Sequence, residues 1–272
     1  MAFCNVNGIN LCYTDRGSGE PLVLLHGLGS CLGDWNEQVN DLSRHYRVIA
    51  VDLRGHGWSD KPESSYSVVL YARDVCCLLD CLGIDTAHIV GFSMGGMTAF
   101  QLAVDNPERL KSLVVINSGP AFPNDSWLSR FSIWLRLSTI QVFGMGALGW
   151  LIGRKLFPQK DQKHLYRQFI RQLKTNRKQD YIRALKSFLG WSVEERLSSI
   201  HCPVLIVAGE HDYTPVEYKR GYSRKLSNVR LAVIENSRHA TPIDQPEQLN
   251  RVMMDFYQNL SVARMHKNKS FA

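Results

Sequence analysis

The 272-residue chain lacks several features that mark out particular classes of protein. It has no uninterrupted apolar stretch near the ~20 residues that a membrane-spanning helix needs. Its first residues, Met1 to Asn5, show no basic stretch followed by an apolar run, so we predict no secretory signal peptide. Internal repeats and low-complexity segments are also missing. These absences favour an ordinary globular protein whose length suffices for one large core.

Cysteine is present, but in no recognisable framework. Seven cysteines is an odd number, and their spacing fits no disulfide scaffold, so we predict free thiols and a cytoplasmic location. Cys76, Cys77 and Cys81 cluster on one predicted helix without a C-x-x-C pair or a neighbouring histidine. We interpret them as small apolar core side chains. The sequence therefore predicts neither a metal ion nor a cofactor.

The positive charge is unevenly distributed along the chain. The formal net charge is +7, yet residues 121–195 alone carry 13 Lys and Arg against 5 Asp and Glu. Residues 260–272 add three basic residues and no acid, and the remainder is net acidic. Because the basicity is confined to one segment and the tail, we expect no nucleic-acid partner.

The pentapeptide Gly91-Phe92-Ser93-Met94-Gly95 is the most informative stretch. The apolar run before it predicts a short buried strand, and the run after it predicts a buried helix. Ser93 then lies on a sharp, strained turn where flanking Cβ atoms would clash, so glycines are needed at 91 and 95. A G-x-S-x-G pattern between strand and helix is typical of a nucleophilic serine.

Strands and helices alternate on both sides of a helical interruption. Asn7-Gly8 predicts an initial hairpin, and the later buried runs predict parallel strands near residues 21–25, 46–51, 87–90, 113–116, 204–208 and 229–233. We therefore predict an α/β fold with a mostly parallel mixed sheet and helices on both faces. Residues 1–120 and 196–272 would form the core domain. Residues 121–195 would form a helical cap above the carboxyl edge of the sheet, where ligands bind in such folds.

A nucleophilic serine needs a base and a group that orients the base. Asp212 follows the strand near 204–208 and His239 follows the strand near 229–233, so both emerge at the edge that holds Ser93. The order Ser, Asp, His along the chain is the one that this type of turn requires. His211 is the rival base. Glu210 and Asp244 remain rival acids.

Two backbone amides are needed to stabilise an oxyanion. Met94, directly after the nucleophile, supplies one. The other is assigned to Leu28 in the loop His26-Gly27-Leu28-Gly29, which ends the first parallel strand. We interpret His26 as a side chain that braces this loop, and Arg54 and His56 as a polar turn at the neighbouring strand end.

These motifs together resemble those of the α/β-hydrolase superfamily, and most of all its capped microbial carboxylesterases and enol-lactone hydrolases. The resemblance covers nearly all of the chain outside the cap. It implies the α/β-hydrolase fold and a cofactor-independent Ser93–Asp212–His239 triad. It also implies a small, apolar ester, lactone or thioester substrate cleaved through an acyl-serine intermediate. Carbon–carbon bond hydrolases of ring-cleavage products look similar, but often have Trp after the histidine, where this chain has Ala240. A non-catalytic ligand-binding protein of the same fold is the alternative from another class.

The predicted cap contains an aromatic helix whose role has two interpretations. Trp127, Phe131, Trp134 and Leu135 share one helical face. In the first interpretation this face lines the pocket and packs on the sheet domain. In the second, the helix is a mobile lid with a glycine-rich hinge, whose aromatic and basic residues touch an anionic membrane surface.

Overall fold

A computed structural model describes residues 1–64, 66–122 and 127–269 of the chain. Within them lies one eight-stranded sheet with the strand order β1-β2-β4-β3-β5-β6-β7-β8. The strands are β1 (Ala2–Val6), β2 (Ile9–Arg16), β3 (Pro21–Leu25), β4 (Arg47–Val51), β5 (Ala87–Phe92), β6 (Leu110–Ile116), β7 (Val204–Gly209) and β8 (Val229–Ile234).

The sheet is mixed, with its antiparallel part confined to one edge. β1 pairs with β2 and β2 with β4 in antiparallel register, and every pairing from β4 to β8 is parallel. Asn7 and Gly8 join β1 to β2 with φ angles of 46° and 75°, the conformation expected of an Asn-Gly hairpin. The predicted mostly parallel mixed sheet is therefore confirmed.

Nine α-helices are present in the described part of the chain. They are α1 (Asn36–Leu42), α2 (Val68–Cys81), α3 (Met94–Asp105), α4 (Trp127–Leu156), α5 (Lys163–Thr175), α6 (Lys178–Lys186), α7 (Val216–Ser223), α8 (Thr241–Asp244) and α9 (Pro246–Lys269). Short 3₁₀ helices span Leu32–Trp35, Pro107–Arg109 and Glu194–Ser199.

The core consists of two apolar layers, one on each face of the sheet. Alternate residues of a strand point to opposite faces, so Ile89 of β5 joins one layer while Val90 joins the other. Helices α2 and α3 cover the first face, and α1 and α9 cover the second. Burial on both faces explains why the central strands read as unbroken apolar runs.

The chain leaves the sheet after β6 and returns at β7. Between them lie α4, α5 and α6, which we call the inserted segment. An antiparallel bridge between Ala121 and Ser192 closes its base. Helix α4 is interrupted at Gly144, whose φ of 78° and ψ of −178° belong to a region that essentially only glycine occupies.

The first interpretation of the aromatic helix in the predicted cap is wrong. Trp127, Phe131, Trp134 and Leu135 are 73%, 53%, 59% and 43% exposed, so they do not pack on the sheet domain. Helix α4 instead packs through other positions, among them the buried side chains of Ile140, Met145, Leu148 and Leu156. Spacing along the helix predicts an apolar stripe, but not which side of the helix the rest of the protein covers.

The prediction of free thiols is wrong for two cysteines. Cys4 of β1 and Cys81 at the end of α2 form a disulfide across 77 residues of sequence, while Cys12, Cys31, Cys76, Cys77 and Cys202 are free. Cys76 and Cys77 are partly buried and pack against the apolar core, as predicted. Because the thiols are not all free, they no longer argue for a reducing compartment, and the cytoplasmic location stays a prediction.

Candidate active site

Ser93 lies on the turn between β5 and α3. Its φ of 54° and ψ of −115° are strained for a residue with a side chain. A Cβ at Gly91 would lie 2.2 Å from the Gly95 carbonyl oxygen, and one at Gly95 would lie 2.1 Å from the Leu25 carbonyl oxygen. Both glycines are therefore required by the close approach of backbone to backbone, as the sequence predicts.

The structure brings Ser93, His239 and Asp212 into one hydrogen-bonded chain. Ser93 Oγ lies 2.9 Å from His239 Nε2, and His239 Nδ1 lies 2.8 Å from Asp212 Oδ1. The three residues follow β5, β8 and β7, which all belong to the parallel part of the sheet, so they lie at the same edge of it. With Asp212 ionised, Nδ1 carries the proton and Nε2 accepts from the serine hydroxyl.

Asp212 is held by a buried lysine that the sequence analysis did not single out. Lys219 Nζ on α7 lies 2.7 Å from Asp212 Oδ2, and both side chains are fully buried. Thr214 Oγ1 donates a further hydrogen bond to Oδ2 over 2.5 Å. Burial alone would raise the pKa of Asp212, but His239 and Lys219 outweigh it and lower that pKa to about 2. Asp212 is therefore ionised at neutral pH.

The rival residues take other partners. Glu210 accepts a hydrogen bond from the Asn236 backbone amide, and His211 is about half exposed beside Glu210. Asp244 accepts from Ser237 Oγ at 2.8 Å and from the Arg238 amide at 2.7 Å. Of the three candidate acids, Asp212 is the one that is hydrogen-bonded to His239. Nowhere in residues 1–64, 66–122 and 127–269 do three or more His, Cys, Asp or Glu side chains form a group that could hold a metal ion.

The loop after β3 passes directly beside the serine. A Cβ at Gly27 would lie 3.3 Å from Ser93 Cβ, which brings the backbone leading into Leu28 next to the nucleophile. His26 Nδ1 donates to the Gly27 carbonyl at 2.8 Å, and its Nε2 accepts from the Leu53 amide at 3.0 Å. Burial lowers the pKa of His26 to about 4, so the ring stays neutral and braces the loop.

The same loop is fixed from above by the inserted segment. Asn176 Nδ2 donates to the Gly29 carbonyl at 2.9 Å. Gly29 has a φ of 75°, and a Cβ there would lie 2.6 Å from Leu173 and 2.8 Å from Tyr181. The loop is therefore clamped between the serine turn and the helices above it, which fixes the direction of its amides.

Tyr213 is a second residue that the sequence analysis missed. Its hydroxyl lies 2.5 Å from His239 Nε2, and the two rings are 4.0 Å apart and tilted by 30°. Phe92 contacts the same imidazole with ring centroids 5.2 Å apart. A neutral imidazole has one acceptor at Nε2, so the Tyr213 and Ser93 hydroxyls compete for it. The only signal in the sequence is an aromatic residue directly after the acid.

Arg136 of α4 adds a cation to the roof of the site. Its guanidinium donates to the Tyr181 hydroxyl and lies 5.3 Å above the Tyr181 ring. The buried Arg136 Nε has no hydrogen-bond partner among the described residues. The guanidinium also interacts electrostatically with the Tyr213 phenol. A charged donor therefore lies within electrostatic range of Tyr213, whose hydroxyl contacts His239.

Comparison with known proteins identifies the fold family. The family model for the α/β hydrolase fold matches residues 20–139. The chain is 31% identical to 3-oxoadipate enol-lactonase 1 of Acinetobacter baylyi, over 89% of this chain and 90% of that one.

Solved structures give the same result. An enol-lactonase from Burkholderia xenovorans has a TM-score of 0.86 and 24% identity, over 94% of this chain and all of that one. Est816, described as an N-acyl homoserine lactone degrading enzyme, has a TM-score of 0.79 and 29% identity, again over 94% of this chain and all of the other. The strand order, the serine turn and these similarities lead to one conclusion: the chain belongs to the α/β-hydrolase fold family.

Proposed function

We propose that the protein is a serine hydrolase that cleaves a carboxylic ester, lactone or thioester through an acyl-Ser93 intermediate. The observation that carries this proposal is the chain of hydrogen bonds from Ser93 through His239 to the buried, ionised Asp212. A serine hydroxyl becomes a useful nucleophile only with such an oriented base. The hydrolase relatives support the same class of reaction.

In the acylation step Ser93 Oγ attacks the carbonyl carbon of the substrate and its proton passes to His239 Nε2. Asp212 stabilises the imidazolium that forms, without taking its proton. The negative oxygen of the tetrahedral intermediate accepts hydrogen bonds from the amides of Leu28 and Met94. Collapse breaks the bond to the leaving group, which receives the proton from His239.

Deacylation repeats these steps with water. His239 removes a proton from the water molecule as its oxygen attacks the acyl carbon. The second tetrahedral intermediate uses the same two amides. Its collapse frees the acid product and returns the proton to Ser93. Lys219 contributes at each step by holding the charge and orientation of Asp212.

The inserted segment supplies the substrate selection in this proposal. Residues 121–195 act as a cap domain over a core formed by 1–120 and 196–272. The buried Phe92 beside the His239 ring and the partly buried Leu28 are apolar, and they suit an apolar acyl or alcohol group. Arg136 Nε can donate to a carbonyl or carboxylate of the substrate. The relatives named for lactones support including lactones in the substrate range.

A fluorophosphonate probe tests the assignment directly. The wild-type chain should be labelled once, with the adduct located on Ser93 by peptide mass spectrometry. Ser93→Ala should stay unlabelled and lose roughly three to six orders of magnitude in kcat towards any ester that the wild type cleaves. Ser198→Ala, which removes an exposed hydroxyl elsewhere, should behave as the wild type.

Two results would contradict the proposal. A folded wild-type chain that resists the probe would point to a non-catalytic ligand-binding protein. A Ser93→Ala variant with activity within tenfold of wild type would place the nucleophile elsewhere. A panel of esters, lactones and thioesters of graded chain length then identifies the preferred substrate.

A further inference from the structure

Helix α4 exposes an unusual number of large apolar side chains. Between 43% and 73% of each of these residues is exposed. They are Trp127, Phe131, Trp134, Leu135, Val142, Phe143 and Trp150. We use the name aromatic face for these seven exposed side chains of α4 together. Scattered exposed apolar residues need no explanation, but a cluster of this kind marks an interaction surface.

The same helix is long and apolar enough to cross a membrane, by length and composition alone, over Arg130–Leu156. Three features favour a helix that lies on a surface instead. The helix is interrupted at Gly144, and Arg136 in its first half is bonded to Tyr181. Its second half packs closely on α5, where a Cβ at Gly153 would lie 2.9 Å from the Tyr166 ring. A spanning helix would have to break these contacts.

Helix α5 carries a row of cations beside the aromatic face. Lys163, Arg167, Arg171 and Lys174 are all exposed and recur at spacings of four, four and three residues, which places them on one side of the helix. We call them the basic stripe. A Cβ at Gly146 of α4 would lie 2.9 Å from Lys174 Cε, so the stripe directly adjoins α4.

Further cations lie within α4 itself, and acids are nearly absent from this surface. The Arg154 guanidinium lies 4.8 Å from the centre of the exposed Trp150 ring, and Lys155 beside it is exposed. From residue 127 to 186 the structure has one exposed acid, Asp161. Asp180 is buried and paired with Arg177 and Arg183. The charge of this surface is therefore complementary to an anionic partner.

We propose that the aromatic face and the basic stripe dock the protein on the surface of an anionic lipid bilayer. Tryptophan and phenylalanine side chains partition into the interfacial region, and lysine and arginine contact the lipid phosphates around them. Apolar contact alone would bind any bilayer, and charge alone would bind any polyanion. The pairing of the two on adjoining helices selects an anionic bilayer. This docking is independent of hydrolysis, so its test does not depend on the proposed function.

Vesicle sedimentation of the full-length chain tests the proposal. The vesicles are pure phosphatidylcholine, or phosphatidylcholine with about 30 mol% phosphatidylglycerol, at about 50 mM and about 500 mM NaCl. We expect binding to the anionic vesicles to be at least roughly tenfold tighter at low salt, and most of that preference to be lost at high salt.

The aromatic contribution is isolated by a matched pair of double variants. Phe131→Ser/Trp134→Ser alters the aromatic face, whereas Phe3→Ser/Trp58→Ser alters two side chains on the core domain that are 57% and 69% exposed. Since all four side chains are exposed, circular dichroism and the melting temperature should stay near wild type. The first variant should lose vesicle binding at both salt concentrations. The second should bind as the wild type does.

The electrostatic contribution is isolated in the same way. A triple exchange to Gln at Lys163, Arg167 and Arg171 removes most of the basic stripe, and none of the three makes an ion pair within the described part of the chain. The control removes the same charge from exposed positions elsewhere, namely Arg16, Arg224 and Arg251. The stripe variant should lose the preference for anionic vesicles, and the control should keep it.

Three outcomes overturn the proposal. In the first, the wild type sediments with neither kind of vesicle, or with both equally at low salt. In the second, the control variants lose as much binding as their partners. In the third, the wild type is a dimer that Phe131→Ser/Trp134→Ser converts to a monomer without any vesicle binding, in which case a second copy of the chain covers the face. Labelling of Ser93 by the fluorophosphonate is measured in parallel and is expected to be the same in all four variants.

Discussion

The carboxyl edge of the sheet and helix α4 differ in which side chains they bury and which they expose. At the sheet edge, charged groups are buried and nearly every one has a partner: Asp212 is shared by His239, Lys219 and Thr214. On α4, apolar groups are exposed and their partners in the chain are few, such as the stacked pair Phe131 and Trp134. Burial of charge is costly without a partner, and exposure of apolar surface is costly without cover.

This difference shows which side chains of each region find their contacts within the chain. At the sheet edge, Ser93, His239, Asp212 and Lys219 are joined by hydrogen bonds within the chain. On the aromatic face, the contacts within the chain are few, and most of its apolar surface is open to an outside partner, as we propose above. The two regions meet at Arg136, which extends from α4 to Tyr181 above the triad.

Separate substitutions at the two regions test this comparison. Changes at the sheet edge should alter hydrolysis or stability and leave vesicle binding intact. Changes on the aromatic face should do the reverse. A substitution that alters both hydrolysis and vesicle binding in a folded protein would contradict this separation and show that docking and catalysis are coupled.

Asp212→Asn should reduce kcat by roughly three to four orders of magnitude. The amide favours the wrong imidazole tautomer and no longer stabilises the imidazolium. The measurement is steady-state hydrolysis of an ester that the wild type cleaves. Asp244→Asn is the control, because that carboxylate bonds Ser237 and Arg238 instead of His239. A larger loss in Asp244→Asn than in Asp212→Asn would mean that Asp244 is the acid.

Lys219→Met should lower the free energy of unfolding by about 3–5 kcal/mol at neutral pH, because it leaves the Asp212 charge buried without its countercharge. The pKa of Asp212 is lowered to about 2. Its stabilising effect is therefore present above about pH 4 and is lost as the pH falls towards 2. Urea denaturation across this range should give a flatter pH dependence for the variant than for the wild type.

Arg220→Met is the matched control for that variant. The neighbouring Arg220 is half exposed and faces only Glu217, so the exchange should cost under about 1 kcal/mol. Equal losses in the two variants would contradict the role assigned to Lys219.

Tyr213→Phe should increase the rate of fluorophosphonate labelling by roughly two- to tenfold. It removes the hydroxyl that competes with Ser93 for His239 Nε2, and one hydrogen bond of ordinary strength corresponds to that factor. Tyr218→Phe is the control, since the Tyr218 hydroxyl adjoins Gly119 rather than the triad. A decrease in Tyr213→Phe would mean that the phenol assists the reacting group.

The sequence alone determined the order of the elements and the approximate position of the site. Central strands buried on both faces must be apolar throughout, so they are visible as runs such as Val204–Ala208. Parallel strands place the residues that follow them at one edge. That rule is why the sequence predicts Ser93, Asp212 and His239 at one site, and why the three lie within hydrogen-bonding distance in the structure.

Only the tertiary structure decided which groups surround that edge and which face the solvent. Lys219 and Tyr213 reach the triad through the fold of helix α7 and of the loop before it. No pattern in the sequence marks a lysine that is buried on an acid or a tyrosine whose hydroxyl meets a histidine. The pairing of Cys4 with Cys81 depends on β1 lying beside α2. The exposure of the aromatic face depends on which side of α4 meets α5. The spacing of apolar residues in the sequence indicates which of them share a face of one helix or strand. The features above depend instead on contacts between elements that are far apart in the chain.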